Sequence, residues 1–243
     1  MRVAVVTVGD ELLAGETVNT NASWLGEQLT ARGATVERVV TLPDRVSDIA
    51  RVVNEYRAEY DAVVVTGGLG PTHDDLTMES VAAAFGRPLE RSEAVLEWLE
   101  AEGGYTREDL TEGTADLPKG ARPLHNEVGV APGCVVESVY VLPGVPAEMK
   151  AMFETVREEF EGTPLQVATV TVAEPESALV ERFEQLRERF DVALGSYPGE
   201  SVHVRLRGED GDEVERAAAW LAERAETVEE GGSAGEVDEP DDE

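Results

Sequence analysis

Lysine is almost missing: Lys119 and Lys150 are the only two, and every other base is an arginine. Cysteine is missing but for Cys134. One thiol excludes an intrachain disulfide framework and points to a reducing compartment. Aromatics make up 5% of the 243 residues. No apolar run approaches the roughly 20 residues of a spanning helix. The opening Arg2–Val8 run looks like a signal peptide only superficially, because it is short and ends in Gly9-Asp10 rather than a cleavage site. It reads as a buried strand, and the protein as cytoplasmic.

What is abundant is acid. There are 51 Asp and Glu residues against 20 bases, a net charge of −31. The stretch Glu229–Glu243 holds eight acids and no base, so the rest of the chain is strongly negative without it. Such a surface repels duplex DNA, whose binding needs clustered Lys and Arg, and it repels anionic membranes. The expected partner is a small molecule rather than nucleic acid or lipid. The composition suggests a halophilic, salt-rich cytoplasm, where screening over a few Å makes the self-repulsion tolerable.

Alternation of strands and helices dominates the first half. Arg2–Val8 and Ala62–Thr66 are short continuous apolar runs, as expected of strands covered on both faces. Thr35–Leu42 reads as another strand. Between them, Asn21–Arg32 and Val46–Glu59 carry apolar residues at helical spacing, with Gly33 at a C-cap position. Leu76–Phe85 reads as a third helix. This βαβ order implies a three-layer α/β/α fold with a mainly parallel sheet. Residues 89–120 read as a helical excursion, with helices over Ser92–Ala101 and Arg107–Ala115. Gly133–Leu142 reads as a strand and Ala147–Glu161 as a helix. The large domain spans residues 1–162.

Residues 163–228 read as a small α+β domain. Leu165–Val172, Val192–Tyr197 and Val202–Arg207 are its strands, and Pro175–Phe190 and Glu213–Glu226 its helices. Residues 229–243, glycine and acid, are expected to be disordered.

The sharpest local signal is Val63-Val64-Val65-Thr66-Gly67-Gly68-Leu69-Gly70-Pro71-Thr72-His73-Asp74-Asp75. A buried strand runs into a glycine loop and then a helix. Loop amides and a helix N-terminus at a parallel strand's carboxyl end form an anion site. Gly67, Gly68, Gly70 and Thr72 are candidate phosphate binders. The other reading is an ordinary turn in which Asp75 or Thr77 caps the helix. There is no Walker A lysine and no Gly-x-Gly-x-x-Gly turn. Asp74 and Asp75 suit a divalent ion, Mg²⁺ first and Mn²⁺ or Co²⁺ after it, because a hard cation takes carboxylate and phosphate oxygens. Asp10-Glu11 follows the first strand and faces the same sheet edge. Asn126 and the segment Gly144, Pro146, Glu148 mark further strand ends, with Glu148 a candidate ligand or simply a helix-start acid. Lys150 is either a phosphate contact or a surface lysine. His73, His125 and His203 lack zinc-site spacing, and no Gly-x-Ser-x-Gly elbow exists. Cys134 and Trp24, Trp98 and Trp220 read as packing residues.

Four ordered motifs carry a resemblance. They are Gly9-Asp10-Glu11-Leu12-Leu13-x-Gly15 with Asn19-Thr20-Asn21; Gly67-Gly68-Leu69-Gly70-Pro71-Thr72-x-Asp74-Asp75-x-Thr77; Asn126-x-x-Gly129-x-Ala131-Pro132-Gly133; and Leu142-Pro143-Gly144-Val145-Pro146-x-Glu148-Met149. Together they resemble the amino-terminal domain of the competence/damage-inducible protein CinA family, whose molybdopterin-binding-like fold is shared with molybdopterin adenylyltransferases. Ser196-Tyr197-Pro198 resembles that family's small following domain. The resemblance implies a metal-dependent nucleotide pyrophosphatase acting on ADP-ribose-like dinucleotides. It implies Asp10 and Asp75 as essential carboxylates, nucleotide contacts at Gly67, Gly68, Gly70, Thr72, Asn126, Gly144, Pro146 and Glu148, and a homo-oligomer. The family's separate nicotinamide-nucleotide deamidase domain has no counterpart in this sequence, so deamidation is not expected. Leu69 stands where the adenylyltransferases usually have Thr, and Asp74 replaces their basic residue; both favour the CinA branch. The alternatives are molybdopterin binding or adenylyl transfer in molybdenum-cofactor synthesis, and a non-catalytic nucleotide-binding module.

The charge reading predicts that the thermal unfolding midpoint rises by several degrees between low salt and molar KCl. A midpoint that stays flat across that range removes the halophile reading.

Overall fold

The computed structural model describes residues 1–163 and 165–228, so the expected disordered tail at 229–243 lies outside the described residues. The chain divides into two compact units, Met1–Pro164 and Leu165–Glu243. In the first, the elements are β1 (Arg2–Val8), α1 (Asp10–Ala14), α2 (Thr20–Ala31), β2 (Thr35–Leu42), α3 (Val46–Glu59), β3 (Ala62–Gly67) and α4 (Thr77–Ala84). Then come β4 (Leu89–Arg91), α5 (Glu93–Ala101), β5 (Asp116–Pro118), β6 (Arg122–Leu124), β7 (Gly133–Val136), β8 (Val139–Pro143) and α6 (Pro146–Val156).

The main sheet has the order β2-β1-β3-β8-β7-β6. Its first four strands are parallel, and β7 and β6 continue it antiparallel. Every residue of β3 is buried. The run Val63-Val64-Val65 explains this, since β-branched residues suit a strand packed on both faces. Side chains alternate between two apolar layers. Val63 and Val65 join Ala4, Val6 and Val8 against Ile49, Val52 and Val53 of α3 and Val81 of α4. Val64 joins Val3 and Val5 against Leu25 and Leu29 of α2 and Met149, Met152 and Phe153 of α6. The result is the mainly parallel, three-layer arrangement expected from the sequence.

Several local expectations need correction. Arg107–Ala115 is not a helix: Asp109 turns back to accept from the Thr106 amide and hydroxyl at 3.0 and 2.6 Å, competing with helical bonding. The excursion 89–120 is instead one helix, α5, flanked by the antiparallel pair β4/β5. Gly133–Leu142 is a hairpin, with Val136 opposite Val139. Its two-residue turn holds Glu137 at φ 54°, which a sequence without Gly or Asn at that point does not announce. Guanidinium groups of Arg87 and Arg57 both meet the Glu137 carboxylate. The segment after β1 coils into α1, and the predicted helix Ala147–Glu161 ends at Val156 with a 3-10 turn over Arg157–Glu159.

The second unit comprises β9 (Gln166–Val172), α7 (Val180–Arg189), β10 (Ala193–Pro198), β11 (Val202–Gly208) and α8 (Gly211–Ala222). Its antiparallel sheet, β10-β11-β9, packs Val170, Val172, Val204 and Leu206 against Phe183, Leu186, Ala217 and Trp220 of the helices. The helix predicted over Glu213–Glu226 starts earlier because Asp210 caps it, accepting from the Asp212 and Glu213 amides. The one predicted over Pro175–Phe190 opens as a 3-10 turn, Glu176–Ala178.

Glu174 ties this unit together. Its carboxylate accepts from both arms of Arg182 at 2.6 and 2.8 Å and from the Glu226 amide at 2.8 Å. The Arg182 contact first, and the amide next, push the Glu174 carboxyl down to about 2. A depressed carboxylate contributes stability that is complete above the ordinary value of 4.5 and lost as pH falls through about 2. Replacing Glu174 by Gln is therefore expected to lower the unfolding temperature at pH 7. Thermal melts should show the gap between variant and wild type closing between pH 4.5 and 2.

Candidate functional site

Strands β1, β3 and β8 run the same way, so their carboxyl ends share one sheet edge. A cavity of about 690 Å³ opens there. Its walls come from Gly9 and Glu11 after β1, the loop Gly67–Gly70 with Asp74 and Asp75 after β3, and Gly144, Pro146 and Glu148 after β8. Asn19, Thr20 and Asn21, at the start of α2, close another side.

The glycine loop takes its shape from one carboxylate. Asp75 accepts from the Thr72 amide at 3.3 Å and from the Thr72 hydroxyl. Its oxygens lie where a Cβ on Gly68 or Gly70 would sit. Gly67 is needed for a different reason: a Cβ there would run into Thr77 and Val8. The Thr77 hydroxyl beneath it is fully buried and has no hydrogen-bond partner. Gly144 completes the crossing, because its own Cβ position is 3.3 Å from the Gly67 carbonyl carbon. Glycine is used here for close approach rather than for unusual backbone angles.

Helices α2, α4 and α6 are among those that begin at this edge. Asn19 caps α2 through its side-chain oxygen, accepting from Ala22 N at 3.0 Å, and its amide donates to Thr7 Oγ1 at 2.8 Å. Asn21 Nδ2 donates to the Gly144 carbonyl at 2.7 Å, linking the α2 start to the turn after β8. Helices α4 and α6 have no side-chain cap. Gly144, Pro146 and Glu148 at the α6 start line the cavity, so its first amides and the positive end of its dipole are open to an anion, whereas Thr77 and Met78 at the α4 start are buried and are not part of the cavity wall.

The expected residues separate into groups. Gly67, Gly68, Gly70, Asp74, Asp75, Gly144, Pro146 and Glu148 all line the cavity. Thr72 is exposed at the rim and spends its hydroxyl on Asp75. Asn126 is buried and stands behind the wall, donating to Glu148 Oε2 at 2.7 Å and Ala131 O at 2.9 Å. It positions Glu148. Asp10 starts α1, and the cavity is lined by its neighbour Glu11 instead. Lys150 lies over the Trp24 ring, 5.7 Å from its centroid, rather than at the cavity.

Asp44 was not singled out from the sequence. It lines the cavity and accepts from Asp10 N at 2.9 Å. Burial pushes its carboxyl above the usual range, and the charges of Asp10, Glu11 and Asp74 push the same way. The available signal was position: Leu42-Pro43-Asp44 ends a strand on the same edge.

The acidic wall offers hard oxygen donors only. Among the described residues, no three Asp, Glu, His or Cys side chains gather as a ready cation site. Mg²⁺ commonly takes one or two carboxylates, with phosphate oxygens and water supplying the rest. The donor chemistry therefore fits an ion that arrives with a phosphate, held by Asp74 or its neighbours, and does not fit a closed protein cage.

Comparison with known proteins places this architecture. Residues 4–161 match the family described as "Probable molybdopterin binding domain". The chain belongs to that family. Residues 164–229 match a second family, described as "FAD synthase, middle domain". A protein of Archaeoglobus fulgidus is 40% identical over 225 residues, covering 92% of this chain and 97% of that protein. A CinA-like protein of Citrifermentans bemidjiense is 40% identical over 240 residues, which are 92% of this chain and 58% of that longer protein. A crystal structure of the protein CinA, of unknown function, from Thermoplasma acidophilum superposes with a TM-score of 0.60 at 38% identity, covering 65% of this chain and 97% of that one. This is a CinA-like member of the molybdopterin-binding-domain family. No helix among the described residues of this CinA-like chain is long and apolar enough to cross a membrane.

The loop geometry makes a double-mutant prediction. Gly68→Ala in the CinA-like chain sets a methyl group against the Asp75 carboxylate and is expected to cost about 1–3 kcal/mol. In an Asp75→Ala background the same change should cost little, a coupling of about 1 kcal/mol or more in a denaturant-unfolding cycle. Additive effects would detach Asp75 from the loop.

Proposed function

We propose that this chain is a metal-dependent nucleotide pyrophosphatase that hydrolyses ADP-ribose-like dinucleotides. The observation that carries the reading is the meeting of a glycine loop and the uncapped start of α6 with an acid-lined cavity. In this reading the amides of Gly68 and Gly70 and the first turn of α6 hold the two phosphates. They also stabilise the charge that develops on the phosphoryl oxygens. Asp75 keeps the loop in its receptive shape. A divalent ion brought by the substrate would draw charge from the phosphate oxygens.

Water attacks one phosphorus, the phosphoanhydride P–O bond breaks, and AMP and ribose 5-phosphate leave. A carboxylate of the acidic wall takes the proton of the attacking water. Asp44, raised by burial among other acids, suits that task, and Asp10 orients it through its backbone amide. Helix starts favour the negative phosphates while the acids favour a cation, so the site selects the two together rather than either alone. The salt-rich setting inferred from the net charge of −31 belongs to the same proposal, because screening lowers the barrier to an anionic substrate.

A second reading rests on the family's description as a probable molybdopterin binding domain: the same cavity would hold a pterin phosphate, for binding or for adenylyl transfer.

The deciding assay incubates the protein in molar KCl with ADP-ribose, FAD or ATP and Mg²⁺, Mn²⁺ or Co²⁺, and follows AMP. The expected result is AMP from a dinucleotide, reduced about 100-fold in Asp75→Asn and in Asp44→Asn. AMP transfer that requires a pterin acceptor would support the second reading. Tight nucleotide binding without turnover would leave a binding module.

A further inference from the structure

A second cavity, of about 540 Å³, lies beside the first. Its walls include Trp98, Glu102, Tyr105, Asn126, Glu127 and Gly129. Tyr105 lines both cavities. Asn126, on the second side, donates at 2.7 Å to Glu148, on the first. A Cβ on Gly129 would come within 2.5 Å of the Glu148 carboxyl carbon. Anything bound against Glu148 in the first cavity is therefore next to the opening of the second.

The chemistry of the two cavities differs. No helix start faces the second, and no Arg or Lys lines it. It has two aromatic rings and two exposed carboxylates, Glu102 and Glu127. Trp98 is held in place by His125, whose ring stacks on it at 4.7 Å and 19°. Burial holds His125 below its ordinary value, so the stacked ring is neutral at pH 7. The carboxylates accept hydrogen bonds and repel phosphate. A rigid aromatic face next to acceptors suits the apolar C–H face and the hydroxyl donors of a sugar ring.

We propose that the second cavity is the subsite for the uncharged sugar end of a dinucleotide whose phosphates lie in the first. The inference rests on the pyrophosphatase reading and adds a basis for substrate choice. A ligand that ends in hydroxyls gains Glu102 and Glu127, whereas one that ends in a further phosphate meets two like charges. The site thereby prefers dinucleotides over nucleoside triphosphates.

The test is a binding measurement that needs no turnover. Titration calorimetry in molar KCl with Mg²⁺ compares the β-methyl ester of α,β-methylene-ADP with the methylene-bridged analogue of ADP-ribose, which carries the same charge and has the terminal sugar in place of the methyl group. Wild type is expected to bind the sugar-bearing analogue at least about tenfold more tightly. Glu102→Gln/Glu127→Gln, a surface pair whose change leaves the core intact, should bring the two dissociation constants within about threefold of each other. A general gain in anion affinity from removing two negative charges affects these equally charged ligands alike and cancels in the ratio. An undiminished ratio in the double variant, or no sugar preference in wild type, overturns the subsite while leaving methyl-ester binding and AMP release to support the pyrophosphatase reading. Failure of wild type to bind the methyl ester overturns both.

Discussion

The close approach of two backbones at the carboxyl edge of the sheet governs this site. Gly67 ends β3 and Gly144 follows β8, and the two strands pair in register up to Gly67 and Pro143. The fit is tight: a Cβ on Gly144 would lie 3.3 Å from the Gly67 carbonyl carbon, and one on Gly67 would run into Thr77 and Val8. That contact brings the glycine loop after β3 and the start of α6 to one cavity. It depends on β3 being buried along its whole length, which fixes both the register and the height at which the strand ends.

Asp75 plays the reverse of the role its position suggests. An acid next to a glycine loop at a strand end reads from the sequence as a metal ligand. In the structure its carboxylate is turned into the loop, occupying the volume that Gly68 and Gly70 leave open and taking the Thr72 donors. Loop and acid are parts of one device, and the glycines exist partly to accommodate the carboxylate. The other acids of the wall are Glu11, Asp44, Asp74, Asp109 and Glu148. A cavity that combines the uncapped N-terminus of α6 with carboxylates is poised between anion and cation. This is the condition expected for a phosphate that arrives with its metal.

Much of this was legible beforehand. Periodicity alone set the bounds of β1, β2 and α3, because each has one strong apolar pattern and a clean stop. The glycine loop, Glu148 and Gly144 were also readable as strand-end residues facing one edge. Less legible were the segments whose shape depends on a partner. The β7/β8 hairpin hides its turn at Glu137, which two arginines from elsewhere in the chain hold. Between Arg107 and Ala115, helical propensity lost to the Thr106–Asp109 turn and to the β4/β5 pair.

By itself, the sequence determined the layer order, the parallel centre of the sheet and the edge on which a site had to form. These follow from local pattern: which residues are apolar, at what spacing, and where glycine interrupts them. Only the tertiary structure decided which acids share the cavity. It drew in Asp44 and Glu11, set Asp75 into its loop, and placed Asn126 behind Glu148. The physical reason is distance along the chain. Asp44 and Asp74, or Asn126 and Glu148, meet only after strands far apart in sequence pair side by side, and a carboxylate's role is set by what pairing brings to it.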